Sequence, residues 1–133
     1  MRNVEFYCIV EDNKAVAQVL AENILDLTGK HVQIFYSGKE FLKQYTPEHN
    51  PLVKGFFLDH DLQCKFTGSD IAQIVRGHNY SGDIISISAD PKNAEKDPNF
   101  NGRLPKPFCL EKLESILVQG KVSRRLNTQN NLI

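Results

Sequence analysis

Five side chains of this sequence stand where an apolar run gives out. Glu11 and Asp12 follow the run over residues 6–10, Asp59 follows 56–58, Ser88 follows 84–87, and Lys106 comes just after Leu104. If those runs are neighbouring strands of one parallel sheet, three carboxylates, a hydroxyl and an ammonium meet beyond its carboxyl edge. Carboxylates within several ångströms of one another repel by a few kcal/mol per pair at an effective dielectric of about 20, so the trio requires a compensating cation. A hard divalent ion suits oxygen ligands, and Mg²⁺ keeps several waters while leaving room for a phosphoryl oxygen. Ser88 and Lys106 can then hold the other phosphoryl oxygens. This set is equipped to phosphorylate a carboxylate.

Asp59 is the expected acceptor because it directly follows its apolar run; Asp61 competes with it and is a fourth candidate metal ligand beside Glu11, Asp12 and Asp59. Plainer readings stand beside these. Glu11-Asp12 also reads as a helix N-cap with a dipole-favoured acid. Asp59 also reads as a strand terminator, Ser88 as a core hydroxyl and Lys106 as a solvated lysine. Ser86 is expected on the opposite face of the sheet from Ser88. The Lys106-Pro107 bond, in a tight turn, is expected to be cis.

The elements that must position these groups follow from the apolar pattern. Strands are expected over 6–10, 32–36, 56–58 and 84–87, with a weaker one near Leu104. Val16, Val19, Leu20, Ile24 and Leu27 form an apolar stripe at helical spacing, which Gly29 stops. Ser37-Gly38-Lys39-Glu40 fits a capping box before a short second helix that ends ahead of Pro47, and 46–55 reads as a loop. Ile71, Ile74 and Val75 mark a third helix from Gly68 to about His78, and Leu110, Leu113, Ile116 and Leu117 a last one. Continuously apolar strands alternating with helices predict an α/β fold: a doubly wound, five-stranded parallel sheet covered on both faces. Pro98, Asn99 and Asn101 break the segment where a fourth helix belongs, so that helix is expected to be short or frayed.

The chain has 133 residues, enough for one domain at about 100 to 150 residues each. It divides into a domain over 1–120 and a polar, Asn/Gln-rich tail or linker over 121–133. With 41% hydrophobic and 24% charged residues it can bury a core. Sixteen basic residues balance sixteen acidic ones, which removes the bulk attraction that non-specific binding of nucleic acid or an anionic membrane needs. No run reaches the roughly 20 apolar residues of a membrane span, and Glu5 interrupts the start where a signal peptide would be apolar, so a cytoplasmic location is expected. Cys8, Cys64 and Cys109 show no paired spacing and read as reduced structural thiols; His31, His49, His60 and His78 show no ligand spacing and read as surface residues.

Taken together, Ile9-Val10-Glu11-Asp12, Phe56-Phe57-Leu58-Asp59, Ile87-Ser88-Ala89 and Lys106-Pro107-Phe108 resemble, in order, the signature motifs of two-component response-regulator receiver domains of the single-domain, chemotaxis-regulator-like kind. The match spans about residues 4 to 119. The resemblance implies a flavodoxin-like sheet ordered 2-1-3-4-5, with Asp59 as phosphoacceptor, Glu11 and Asp12 as the acidic pair for Mg²⁺, Ser88 as switch hydroxyl and Lys106 as the phosphate-pairing lysine. It implies a histidine kinase or histidine phosphotransfer protein as donor and a downstream protein partner whose binding is switched. It also implies a protein that assists its own phosphorylation and dephosphorylation without being a turnover enzyme.

The chain departs from that pattern in four places. Arg103 stands where the family carries an aromatic. Cys64 takes the place of a proline, with Gly68 one residue late, so a bulged loop is expected. The segment between Ser88 and Lys106 is short by about one helical turn of 3.6 residues. Asp61 and Asp90 each follow a site residue by two positions. Two other functions fit parts of the sequence: a phosphohydrolase resembling the haloacid dehalogenases, through Asp59-His60-Asp61, and a degenerate receiver used only for docking. A stand-alone regulator and a receiver of a larger protein such as a hybrid kinase are both compatible with the tail.

Overall fold

The computed structural model describes residues 4–60, 66–90 and 97–118. Five strands, β1 (Phe6–Val10), β2 (His31–Phe35), β3 (Val53–Asp59), β4 (Asp83–Ser88) and β5 (Gly102–Pro105), form one sheet in the order β2-β1-β3-β4-β5. All pairings are parallel. Helices α1 (Lys14–Thr28), α2 (Gly38–Gln44), α3 (Gly68–Gly77) and α4 (residues 110–118) cover it. The expected flavodoxin-like architecture and strand order are those observed.

Side chains alternate across the strands, so each face of the sheet carries its own core. Cys8, Val10, Phe56, Leu58 and Ile84 pack with Phe41 of α2 and with Ile71 and Val75 of α3. Tyr7, Ile9, Phe57, Ile85, Ile87 and Leu104 pack on the other side with α1 and α4. Fully burying a side chain of this kind contributes about 1.5–3 kcal/mol. The central strand β3 feeds both cores, and its Phe56, Phe57 and Leu58 are all buried.

The helices begin and end on local chemistry. Asn13 accepts the Val16 N–H at 3.1 Å and caps α1, whose far end is closed by Gly29 at φ 73°. Its buried stripe is Ala17, Leu20 and Ile24, whereas Val19 is 50% exposed. The expected stripe was therefore misdrawn at Val19, where a valine's hydropathy outweighed its angular position. Ser37 caps α2 by accepting from the Glu40 N–H at 3.0 Å. Thr67 and Asp70 form a reciprocal capping box at α3. In α4 Leu113 and Leu117 face the core, while Leu110 is exposed.

Three further expectations are corrected. Residues 46–55 are not loop throughout, because Pro47–Leu52 form a 3₁₀ helix and β3 already starts at Val53. Asn50 fixes that turn by accepting from Tyr45 Oη at 2.9 Å and donating to the His78 carbonyl at 3.3 Å. Ser86 and Ser88, two residues apart on β4, share a face. Cys8 is buried as expected, but Cys109 is exposed.

The expected frayed fourth helix falls partly on residues 91–96, outside the described ones; residues 97–101 carry a turn and no helix. Asp61, Cys64 and the tail over 121–133 also lie outside the described residues. At the amino edge of the sheet, Arg76 donates to the carbonyls of Asn99, Tyr80 and Gly82 and to Asn101 Oδ1, at 3.0, 2.9, 2.7 and 3.2 Å.

Candidate functional site: an acidic pocket at the carboxyl edge of the sheet

Three strands deliver the acidic pocket. Beyond β1 the ladder runs one bond further, from the Glu11 N–H to the Phe35 carbonyl at 3.0 Å, which carries the Glu11 side chain into the interior. β3 ends on Asp59, and the His60 N–H bonds the Ile87 carbonyl at 2.8 Å. After β5 the Lys106 N–H bonds the Ser88 carbonyl at 2.8 Å, and the Lys106-Pro107 peptide is cis, as expected. Glu11 and Asp59 are both fully buried.

Two carboxylates without water require a cation close by, and Lys106 supplies one. Its Nζ lies 2.8 Å from Glu11 Oε1 and 3.3 Å from Asp59 Oδ1. The other Glu11 oxygen, Oε2, accepts from the Asn13 N–H at 2.9 Å. Burial pushes the Glu11 carboxyl up to about 7, against the pull of the Lys106 ammonium and the Asn13 amide. Burial works to lower Lys106, but its hydrogen bond to Glu11 and the charge of Asp59 outweigh that and raise it.

Asp12 sits at the solvent side of the same pocket. One carboxylate oxygen from each of Glu11, Asp12 and Asp59 falls within 4.8 Å of the others, so the trio can hold a metal ion. The donors are all carboxylate oxygens, the set that hard divalent cations prefer. Among the described residues one ammonium faces these three carboxylates, so a bound cation would offset further negative charge there.

Ser88, 5% exposed, borders the pocket. Its hydroxyl donates to the Asp90 carbonyl at 2.8 Å and accepts from the Asp90 N–H at 3.0 Å. Gly68, at the start of α3, closes against the backbone of Asp59, where a β-carbon would lie 2.4 Å from the Asp59 oxygen. Arg103 is exposed on β5. Of the histidines, His31, His49 and His78 are exposed, whereas His60 is partly buried with its ring 5.6 Å from that of Phe100.

The structure thus brings Glu11, Asp12, Asp59 and Lys106 together and sets Ser88 on the adjoining strand end. Asn13, not Glu11-Asp12, is the N-cap of α1, and it also orients Glu11. A sequence signal for it existed, since Asn directly before an amphipathic run is a capping residue.

No protein-family model matches the chain, and no curated protein matches it. Solved structures do. A response regulator receiver domain protein from Clostridium thermocellum superposes with a TM-score of 0.76 at 19% identity, over 92% of this chain and 98% of its own. The BeF3-activated DrrB receiver domain gives 0.71 at 19%, over 87% and 96%. A CheY-like receiver domain from Methylobacillus flagellatus gives 0.68 at 23%, over 87% and 98%. The chain therefore has the fold of response-regulator receiver domains, along nearly the full length of each. No helix among the described residues is long and apolar enough to cross a membrane.

Proposed function

We propose that this chain is a receiver domain that takes a phosphoryl group from a phosphohistidine donor onto Asp59 and thereby changes which partner it binds. The observation that carries this reading is the buried Glu11–Lys106–Asp59 cluster with Asp12 at its solvent side, at the sheet edge where such folds place their sites. In the transfer an Asp59 oxygen attacks phosphorus, an O–P bond forms, the N–P bond of the donor breaks, and the departing imidazole takes up a proton. Lys106 leaves its bridging position to pair with a phosphoryl oxygen, and Ser88 exchanges its Asp90 carbonyl for another.

Glu11, Asp12 and Asp59 would hold Mg²⁺, with Asp61 as a further candidate, and the ion's charge would offset that of the carboxylates and the incoming phosphoryl group. The donor is a histidine kinase or a histidine phosphotransfer protein, and the acceptor of the signal is a protein rather than nucleic acid or membrane. The domain spans 1–120, followed by a tail, and acts in the cytoplasm. It assists its own phosphorylation and dephosphorylation and is not a turnover enzyme.

The test is incubation with Mg²⁺ and acetyl phosphate followed by mass-spectrometric location of any added phosphate. Phosphate on Asp59, abolished by Asp59→Asn and by chelation of the metal, supports the reading. Phosphate located on Asp61, or continuous turnover of a small phosphate ester with no protein donor, overturns it.

A further inference from the structure

Asn101-Gly102 is the one Asn-Gly step in the sequence. Glycine has no β-carbon, so in such a step the backbone nitrogen that follows the asparagine is unhindered and can close a five-membered ring onto the asparagine side chain. The step stands at the amino edge of the sheet, where Asn101 is exposed and β5 begins at Gly102.

The Asn101 amide is held at both of its polar atoms. Oδ1 accepts from the Ile84 N–H at 2.6 Å and from Arg76 Nη2 at 3.2 Å, and Nδ2 donates to Asp83 Oδ1 at 2.9 Å. The Asn101 N–H in turn donates to the Ile84 carbonyl at 2.9 Å, so backbone and side chain together satisfy both main-chain groups of Ile84. Ring closure needs Cγ to turn onto the Gly102 nitrogen, and the three side-chain bonds oppose that turn. Arg76 acts in this clamp twice: it bonds Oδ1 itself, and its bonds to the Asn99, Tyr80 and Gly82 carbonyls hold the flanking chain.

We infer that Asn101 is a spontaneous modification site, whose conversion to aspartate and isoaspartate is gated by opening of the Arg76 clamp. The Gly102 nitrogen gives up its proton to hydroxide and attacks Asn101 Cγ; an N–C bond forms, the Cγ–Nδ2 bond breaks, and Nδ2 takes up a proton from water and leaves as ammonia. Water then adds to either carbonyl of the ring and one ring C–N bond breaks, giving the two products. Aspartate sets an acceptor oxygen where Nδ2 donated to Asp83, so that contact turns from attraction to repulsion. Isoaspartate lengthens the main chain by one carbon just ahead of the pairing of Gly102 with Ile85. Either product weakens the clamp that delayed it, and the change runs one way. This inference does not rest on the proposed function.

The experiment is incubation of the full chain at mildly alkaline pH, with peptide mapping by mass spectrometry to follow aspartate and isoaspartate at position 101. In native buffer the parent should convert at least about tenfold more slowly than in concentrated urea, where the clamp is lost. Arg76→Met should convert at least about tenfold faster than the parent in native buffer, the factor for losing a hydrogen bond to a charged group, and at the same rate in urea. Asp83→Ala, which frees Nδ2, is a second variant and should also accelerate conversion in native buffer. Gly102→Ala should slow it in every condition, because its β-carbon hinders the nitrogen; within the fold that carbon meets only the tip of the Ile85 side chain, at 2.6 Å. Equal rates for the parent in native buffer and in urea, parent-like rates in native buffer for both Arg76→Met and Asp83→Ala, or undiminished conversion in Gly102→Ala overturns the inference.

Discussion

Gly68 lies so close to Asp59 that a β-carbon on the glycine would sit 2.4 Å from the Asp59 carbonyl oxygen and 3.0 Å from its carbonyl carbon. Both atoms are backbone, so relief requires the start of α3 or the end of β3 to shift. Gly68→Ala is therefore expected to destabilise the domain by about 1–3 kcal/mol, the usual cost of overpacking. Gly77→Ala is the reference, because a β-carbon there meets nothing within 4 Å. In that helical position alanine should be neutral or stabilising by up to about 1 kcal/mol. Urea denaturation of the two variants checks this, and equal stability of the pair would show that α3 yields freely.

Removing the ammonium should expose the repulsion that it masks. Lys106→Met leaves Glu11 and Asp59 buried beside one another, and loss of one partner of a buried pair costs about 3–5 kcal/mol. Part of that loss should return when Mg²⁺ replaces the chelator in the denaturation buffer. A variant as stable as the parent in the presence of chelator contradicts the role given to Lys106.

Acidity provides a separate handle on Glu11. Its carboxyl is raised from an ordinary 4.5 to about 7, chiefly by burial, so the folded protein holds a proton that the unfolded chain releases. Stability contributed by that proton is present at low pH and falls as pH rises from about 4.5 through about 7, by at most about 1.4 kcal/mol per pH unit for one proton. The metal-free parent should therefore lose stability relative to Glu11→Gln across that window. Mg²⁺ affinity should rise over the same interval, as the competing proton leaves. Parallel stability profiles for parent and variant from pH 5 to 8 would refute the assignment.

Asp12 separates metal binding from folding. It stands at the solvent side of the trio, so Asp12→Ala should change stability by no more than about 0.5 kcal/mol, as surface substitutions do. Calorimetric titration with Mg²⁺ should nonetheless show at least about tenfold weaker binding, a loss of 1.4 kcal/mol. Equal affinity in variant and parent would remove Asp12 from the metal site.

How much of this was legible in the sequence depended on how strongly each group was tied to burial. Phe56-Phe57-Leu58 had to be a central strand because three consecutive apolar residues need cover on both faces, and that fixed Asp59 at its end. β5 gave a weak signal because Leu104 is its one buried residue. The turn over Pro47–Leu52 was hidden because its cohesion comes from the side chain of Asn50, a polar contact with no periodicity to betray it. The Lys106 bridge carried no local signal either, since the lysine lies far along the chain from both carboxylates. What linked the three was the order of short motifs, each modest alone. Asn13 was overlooked because the acids before it drew the reading of that turn.

Arg76 fastens the end of the domain that lies away from the acidic pocket. Its guanidinium ties the α3–β4 connection, at Tyr80 and Gly82, to the chain leading into β5, at Asn99 and Asn101. Asn101 extends the fastening by accepting from the Ile84 N–H at 2.6 Å and donating to Asp83 Oδ1 at 2.9 Å. The start of β5 is thereby fastened to the α3–β4 connection, at the end of the sheet away from the acidic pocket. Loss of the guanidinium in Arg76→Met should therefore loosen both connections together, seen as faster amide hydrogen exchange at Ile84 and Asn101.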